Sequence, residues 1–318
     1  MGWFRKKNPR APDTSHEDFP ELGDTLKRCR DAVDAECFDT ADRAVAEVFA
    51  IAEQWCQEHP SPDFALTIEA GECEEAHDWD GAEAAYRKIL ELPGLEAFSE
   101  YGAHEGLCGV YGLLNRYADA LAHARLATNA ARRVDSPIVF SLAMRTEAIL
   151  SLRNGAWSDA RKIIEEALQQ LGDDPTNAQQ RASMFVLRAR CALAEHDFRA
   201  AEVDLATAKD ELRPIANWKT AGGLQADLAR WWWATAQLRS HLGDDEESVA
   251  AWCEAVARIR QVVSLPRTTH VHSKRFLAYT LDKLADALMQ CGKNGEAYEA
   301  RAESQAIRQE TGLADFQS

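Results

Sequence analysis

One spacing recurs seven times in this chain and limits what it can fold into. Ala41, Ala82, Ala120, Ala160, Ala201, Ser248 and Ala297 each close a short turn and open a helix with nearly the same residue pattern, at intervals of 41, 38, 40, 41, 47 and 49 residues. Three residues before each of them stand Phe38, Trp79, Tyr117, Trp157, Phe198, Asp245 and Asn294, so five of the seven turns carry an aromatic at one place. Self-similarity at such a period is the mark of a helical repeat array. A second position tests the register independently. Twelve residues upstream of each small residue lie Cys29, Ala70, Cys108, Ala148, Ala189, Ala236 and Ala285, all small again. Two helices that cross closely need a small side chain from each at the crossing, because close packing leaves no room for a larger one. Both partners are present in every unit.

On these residues the chain resembles the tetratricopeptide repeat (TPR) family, whose unit is a helix, a tight turn and a second helix. Asn115 to Ala124 (NRYADALAHA) and Asn154 to Ile163 (NGAWSDARKI) match it most clearly. The likeness runs roughly from residue 24 to 310. It implies an all-α fold, a right-handed superhelix or α-solenoid of about seven antiparallel helix pairs. Two departures stand out. The family's large apolar residue before the first small position is kept as Leu107 and Leu284 but replaced by Arg28, Glu69, Glu147, Arg188 and Thr235. Units of 38 to 49 residues also exceed the usual repeat length, which points to a long-helix variant.

Proline placement supports the same division. After residue 20 the prolines are Pro60, Pro62, Pro93, Pro137, Pro175, Pro214 and Pro266, each between one unit's second helix and the next unit's first. A proline inside a helix removes a hydrogen bond and clashes with the preceding turn, so an array confines it to junctions. Ser61-Pro62, Ser136-Pro137 and Asp174-Pro175 read as an N-cap followed by proline at the first helical position. Residues 1–20 are expected to be a loose basic and aromatic tail, 21–310 the repeat domain and 311–318 a short C-terminal tail.

Several function classes lose support. The eight cysteines contain no C-x-x-C pair, and Cys29 and Cys108 occupy the crossing position, where a free thiol packs as a small hydrophobe. Cys73 with His77 and His104 with Cys108 stand one helical turn apart and together could supply four zinc ligands, but Cys108 is claimed by the helix crossing. No metal site and no cofactor are expected. A net charge of −16 argues against nucleic acid as the main partner. Reduced cysteines and the lack of an apolar leader or spanning segment point to the cytoplasm. Trp3 and Phe4 beside Arg5, Lys6, Lys7 and Arg10 could touch an anionic membrane, although a plain disordered tail is favoured. Phosphate-binding, hydrolase and zinc-protease motifs are absent from the sequence. His270 and His272 read as a solvated loop beside Pro266. Asp78 and Asp80 lack the later ligands of a calcium loop and read as helix caps.

Binding is therefore sought on the first helices, which in the resembled family line the concave face. Counting each unit so that its crossing residues are places 8 and 20, the groove-facing places are about 2, 5, 9 and 12. They give Arg145 and the adjacent Arg153 in unit four, Arg190 in unit five, and Arg230, Trp233 and Gln237 in unit six. Unit seven gives Tyr279, Asp282 and Asp286, an acidic end to a basic and aromatic groove. Of the three consecutive tryptophans, Trp232 falls at an inward place, leaving Trp231 or Trp233 for the surface. Places 5 and 9 lack the Lys and Asn with which chaperone adaptors of the family hold a terminal carboxylate: Leu26 and Arg30, Thr67 and Gly71, Glu105 and Gly109 stand there instead. The expected function is a non-catalytic protein–protein interaction scaffold holding a peptide or protein segment, one with acidic residues suiting the arginines. The alternative is a ligand-gated regulator whose groove senses a peptide or small molecule.

Overall fold

The computed structural model describes residues 20–35, 37–58, 61–216, 221–265 and 270–312. The expected tails, including Trp3, Phe4 and their basic neighbours, lie outside the described residues. Seven helix pairs follow one another: α1 (Pro20–Asp34) with α2 (Phe38–Glu58), α3 (Pro62–Glu75) with α4 (Trp79–Leu90), α5 (Ala97–Leu113) with α6 (Tyr117–Ala131), and α7 (Pro137–Arg153) with α8 (Trp157–Leu171). Then come α9 (Ala178–Ala194) with α10 (Phe198–Leu212), α11 (Gly222–Leu242) with α12 (Asp245–Ser264), and α13 (His270–Gln290) with α14 (Asn294–Thr311). Each helix packs chiefly on its sequence neighbours, so the fold is an all-α solenoid.

Phe38, Trp79, Tyr117, Trp157, Phe198, Asp245 and Asn294 are the first residues of the seven second helices. Two residues before them the backbone turns left-handed at His77, Asn115, Gly155, His196, Gly243 and Gly292, with φ between 58° and 79°. Glycine adopts this conformation without strain, and asparagine and histidine tolerate it. The matching position of unit 1, residue 36, is outside the described residues. Asp78 and Asp197 then cap their helices by accepting from Gly81 N and Ala200 N, each at 3.0 Å.

The crossing is where it was expected. Ala41, Ala82, Ala120, Ala160, Ala201, Ser248 and Ala297 are all buried to within 1% exposure. Cys108 Sγ donates to Ala120 O at 3.3 Å and Ser248 Oγ to Ala236 O at 3.0 Å, so the matched places face one another. Three of the five polar replacements at place 7 form close ion pairs: Arg28 with Glu47 at 2.9 Å, Glu69 with Lys88 at 3.2 Å, and Arg188 with Asp204 at 2.7 Å. Each ties a first helix to the second helix of its own unit. Gly106 allows α5 to approach α4 closely, since a Cβ there would stand 2.2 Å from the Tyr86 ring.

Helix starts follow the caps in two of three cases. Ser61 accepts from Phe64 N and Ser136 from Val139 N, starting α3 and α7 at their prolines. At Pro175 the chain instead makes one 3-10 turn, Pro175–Asn177, capped by Asp174, and α9 proper begins at Ala178. The extra length of the later units goes into helices: α11, α12 and α13 span 21, 20 and 21 residues, against 12 to 17 in α3 to α10.

Candidate binding groove

Successive first helices touch one another from α3 through α11, whereas among the described residues the second helices share no comparable contact. The first helices therefore form the inner layer, where the radius is smallest. The array also turns far enough to meet itself. Arg275 of α13 donates to Gly112 O at 2.6 Å, to Asn115 Oδ1, and to the Tyr117 hydroxyl at 3.4 Å, partners about 160 residues earlier in the chain. One turn earlier on α13, His272 lies against Gly109 of α5. Units 3 to 7 thus enclose a common interior.

Four of the expected residues meet in one charged and aromatic cluster there. Arg230 pairs with Asp227 at 2.9 Å, and Arg145 approaches the same carboxylate at 3.6 Å across two units. Asp227 is nearly fully buried and also accepts from Gln179 Nε2 at 2.9 Å. Arg190 lies over the Trp233 ring, its guanidinium carbon 4.9 Å from the centroid. Trp233 in turn meets Trp252 edge-on at 5.8 Å and Tyr279 at 6.2 Å. Arg153 stands beside this group, donating to the Tyr117 hydroxyl at 3.0 Å with its guanidinium 5.2 Å from that ring's centre. Gln237 is half-buried one turn beyond Trp233, and among the described residues its side chain makes no hydrogen bond into the cluster.

The electrostatics of the cluster are unfavourable to its own charges. Burial, aided by the cations Arg153 and Arg230, pushes the Arg190 guanidinium down to about 10. Burial also lowers Arg153 and Arg230, the latter against the opposing pull of Asp227. His272 is open to solvent on one side, yet the surrounding protein and then Arg275 and Arg153 hold it down to about 4. Glu105 of α5 is raised to about 7 by burial, although Thr146 donates to it at 3.1 Å and Arg145 stands near. It is therefore a weak anion at neutral pH. The Trp233 indole N–H is buried with no hydrogen-bond partner among the described residues. A buried donor left so costs about 1–3 kcal/mol.

Three expectations need correction. Trp231 and Trp233 are both buried, at 8% exposure, and Trp232 is the half-buried member of the triplet. The reason is that α11 is flanked on both sides: Trp231 Nε1 donates to Leu205 O of α10 at 2.8 Å, while Trp233 packs on Trp252 of α12. The groove does not end in bare acid, because Asp282 and Asp286 pair with Arg308 and Arg301 of α14. His270 and His272 belong to a helix, not to a solvated loop.

Asp227, Tyr117, Arg275 and His272 were not among the expected groove residues. Asp227 could have been found one turn before Arg230 on the same helix. Tyr117 was visible as a turn aromatic. The long-range partnership of Arg275 has no local signature, since it depends on how far the array turns. Outside the groove, His104 Nδ1 lies 3.0 Å from His123 Nδ1, and Cys108 is engaged at the crossing. Among the described residues no group of three or more His, Cys, Asp and Glu is arranged to hold a metal ion, and no helix is long and apolar enough to cross a membrane.

No protein-family model and no curated protein sequence matches this chain. Solved structures do resemble it. A Rap protein complexed with Competence and Sporulation Factor has a TM-score of 0.55 at 16% identity, covering 91% of this chain and 77% of that one. Aspartyl phosphate phosphatase F from Bacillus subtilis has a TM-score of 0.46 at 10% identity, covering 94% of this chain and 97% of that one. BtubC (BKLC) from P. vanneervenii has a TM-score of 0.48 at 14% identity, covering 80% and 95%. At these identities the likeness is one of architecture, an all-α array of helix pairs.

Proposed function

We propose that the protein is a non-catalytic interaction scaffold whose inner groove holds a peptide or protein segment carrying acidic residues. The observation that carries this reading is the convergence of Arg145, Arg153, Arg190 and Arg230 around Trp233 and Tyr279 inside a chain of net charge −16. A basic, aromatic interior in an acidic molecule favours an acidic ligand at the centre and repels one elsewhere. Buried tryptophan and arginine are also the side chains most often found to anchor interfaces. The Rap structure of similar architecture holds Competence and Sporulation Factor, a fold-level analogy in the same direction. The cytoplasm suits such a role.

A second reading, a ligand-gated regulator, is favoured by one feature. Tyr117 is shared between Arg153 of the groove and Arg275 of the contact that closes the array. A ligand that draws Arg153 away also loosens that contact, so occupancy and the pitch of the array would be linked.

The test is capture of partners from the source cell by wild type and by the Arg145→Glu, Arg190→Glu double variant, followed by direct titration of each captured segment as a peptide. A peptide bound by wild type and at least tenfold weaker with the variant supports the groove. Equal binding to both removes it. Small-angle scattering with and without that peptide separates the two readings, since a scaffold keeps its profile and a gated regulator changes it.

A further inference from the structure

Two hydrogen-bond donors at the centre of the groove lack an acceptor. The Trp233 N–H has none among the described residues, although the indole is buried. Arg190, which rests on the face of that indole, makes no ion pair or hydrogen bond among the described residues. Its neighbours differ. Arg230 and Arg145 are matched by Asp227, Arg188 by Asp204, and Arg181 by Glu211 at 2.7 Å. Trp231, two residues before Trp233 on the same helix, gives its N–H to the Leu205 carbonyl. Native proteins seldom leave a buried donor so, and an indole N–H without an acceptor beneath a half-buried guanidinium without a carboxylate calls for a ligand.

The chemical complement of one unmatched cation beside one N–H donor is a singly charged group with two acceptor oxygens. A guanidinium holds such a group through its planar fork, with charge-assisted hydrogen bonds. We propose that Arg190 and Trp233 form a carboxylate subsite, taking one carboxylate of an acidic peptide from either a side chain or the chain terminus. The subsite rests on the groove reading above and names the group that the groove recognises. Because Trp233 Nε1 is closed to solvent, the long Arg190 side chain lifts from the ring as the carboxylate enters. The stacking of cation on ring is then exchanged for hydrogen bonds from both donors to the two oxygens.

The experiment uses the full chain with 15N-labelled indoles and follows the Trp233 Nε1–H resonance, assigned by its loss in Trp233→Phe. Four probes are titrated at constant ionic strength: N-acetylglutamate α-amide for a side-chain carboxylate, N-acetylglycine for a terminal one, inorganic phosphate, and chloride. The expected result is a saturable downfield shift with one or both carboxylates. Arg190→Gln weakens it at least tenfold, and Arg190→Lys, which keeps the charge but not the fork, lies between. A shift no larger than that with chloride, an equal shift in Arg190→Gln and Arg190→Lys as in wild type, or tighter binding of phosphate than of either carboxylate overturns the subsite. Peptides with every carboxylate amidated separate the two levels. If wild type binds them as tightly as the acidic peptide, the groove stands and the subsite falls. A carboxylate shift without any peptide binding leaves the subsite and removes the groove.

Discussion

The crossing seam and the groove cluster are built from opposite rules. At the seam every polar group named is satisfied: Cys108 and Ser248 give their hydrogens to carbonyls across the crossing, and the surrounding alanines are fully buried. In the cluster, a short way inward, cations crowd together, an indole N–H has no acceptor, and Arg190 has no carboxylate among the described residues. The seam is optimised for the folded chain alone. The cluster departs from that optimum at Trp233, whose N–H is one of the buried donors left without a partner among the described residues.

Four measurements sharpen or break this contrast. The largest effect is expected for Ala120→Leu, which forces a branched side chain against Cys108, 3.3 Å from the Ala120 carbonyl. Overpacking there should cost about 3 kcal/mol in urea unfolding, and a loss under a third of that would mean the crossing is looser than it looks. Next comes Asp227→Asn, which leaves Arg145 and Arg230 without their shared carboxylate. With one partner buried and the arginines partly wet, about 2 kcal/mol should be lost, and adding Arg230→Met should recover part of it.

The third change has the opposite sign. Arg190→Leu removes a charge that the folded state holds unmatched, so stability should rise by about 1 kcal/mol even after losing the contact with the Trp233 ring. A fall would place Arg190 with the seam rather than the cluster. The fourth measurement concerns pH. His104 is buried beside His123 and held down to about 4 by burial first and by that neighbour second. The unfolded chain takes up this proton near 6.5 and the folded chain does not, so stability should decline as pH falls from 6.5 toward 4. His104→Leu should flatten that part of the profile; an unchanged slope would point to other groups.

How much was legible beforehand follows from range. The turns, the crossing residues and the first residue of each second helix depend on local spacing, and the sequence pattern identified all seven. Arg145, Arg190, Arg230 and Trp233, picked by the same count along the first helices, lie in one cluster. The tryptophan triplet was misassigned because the count treats a helix as having one inner and one outer face, whereas α11 has α10 and α12 on its flanks. The start of α9 was missed by three residues because Asp174 caps a 3-10 turn as readily as an α-helix. Arg275 and Tyr117 could not be paired, since nothing within a unit records the accumulated rotation of five units.

That rotation carries one more consequence. An open row of repeats can be entered from its side at any point, but here the hand of Arg275 on the Gly112 carbonyl clasps units 3 to 7 into a hoop. A segment that enters between units 3 and 7 must part that contact, whereas one that enters elsewhere leaves it intact.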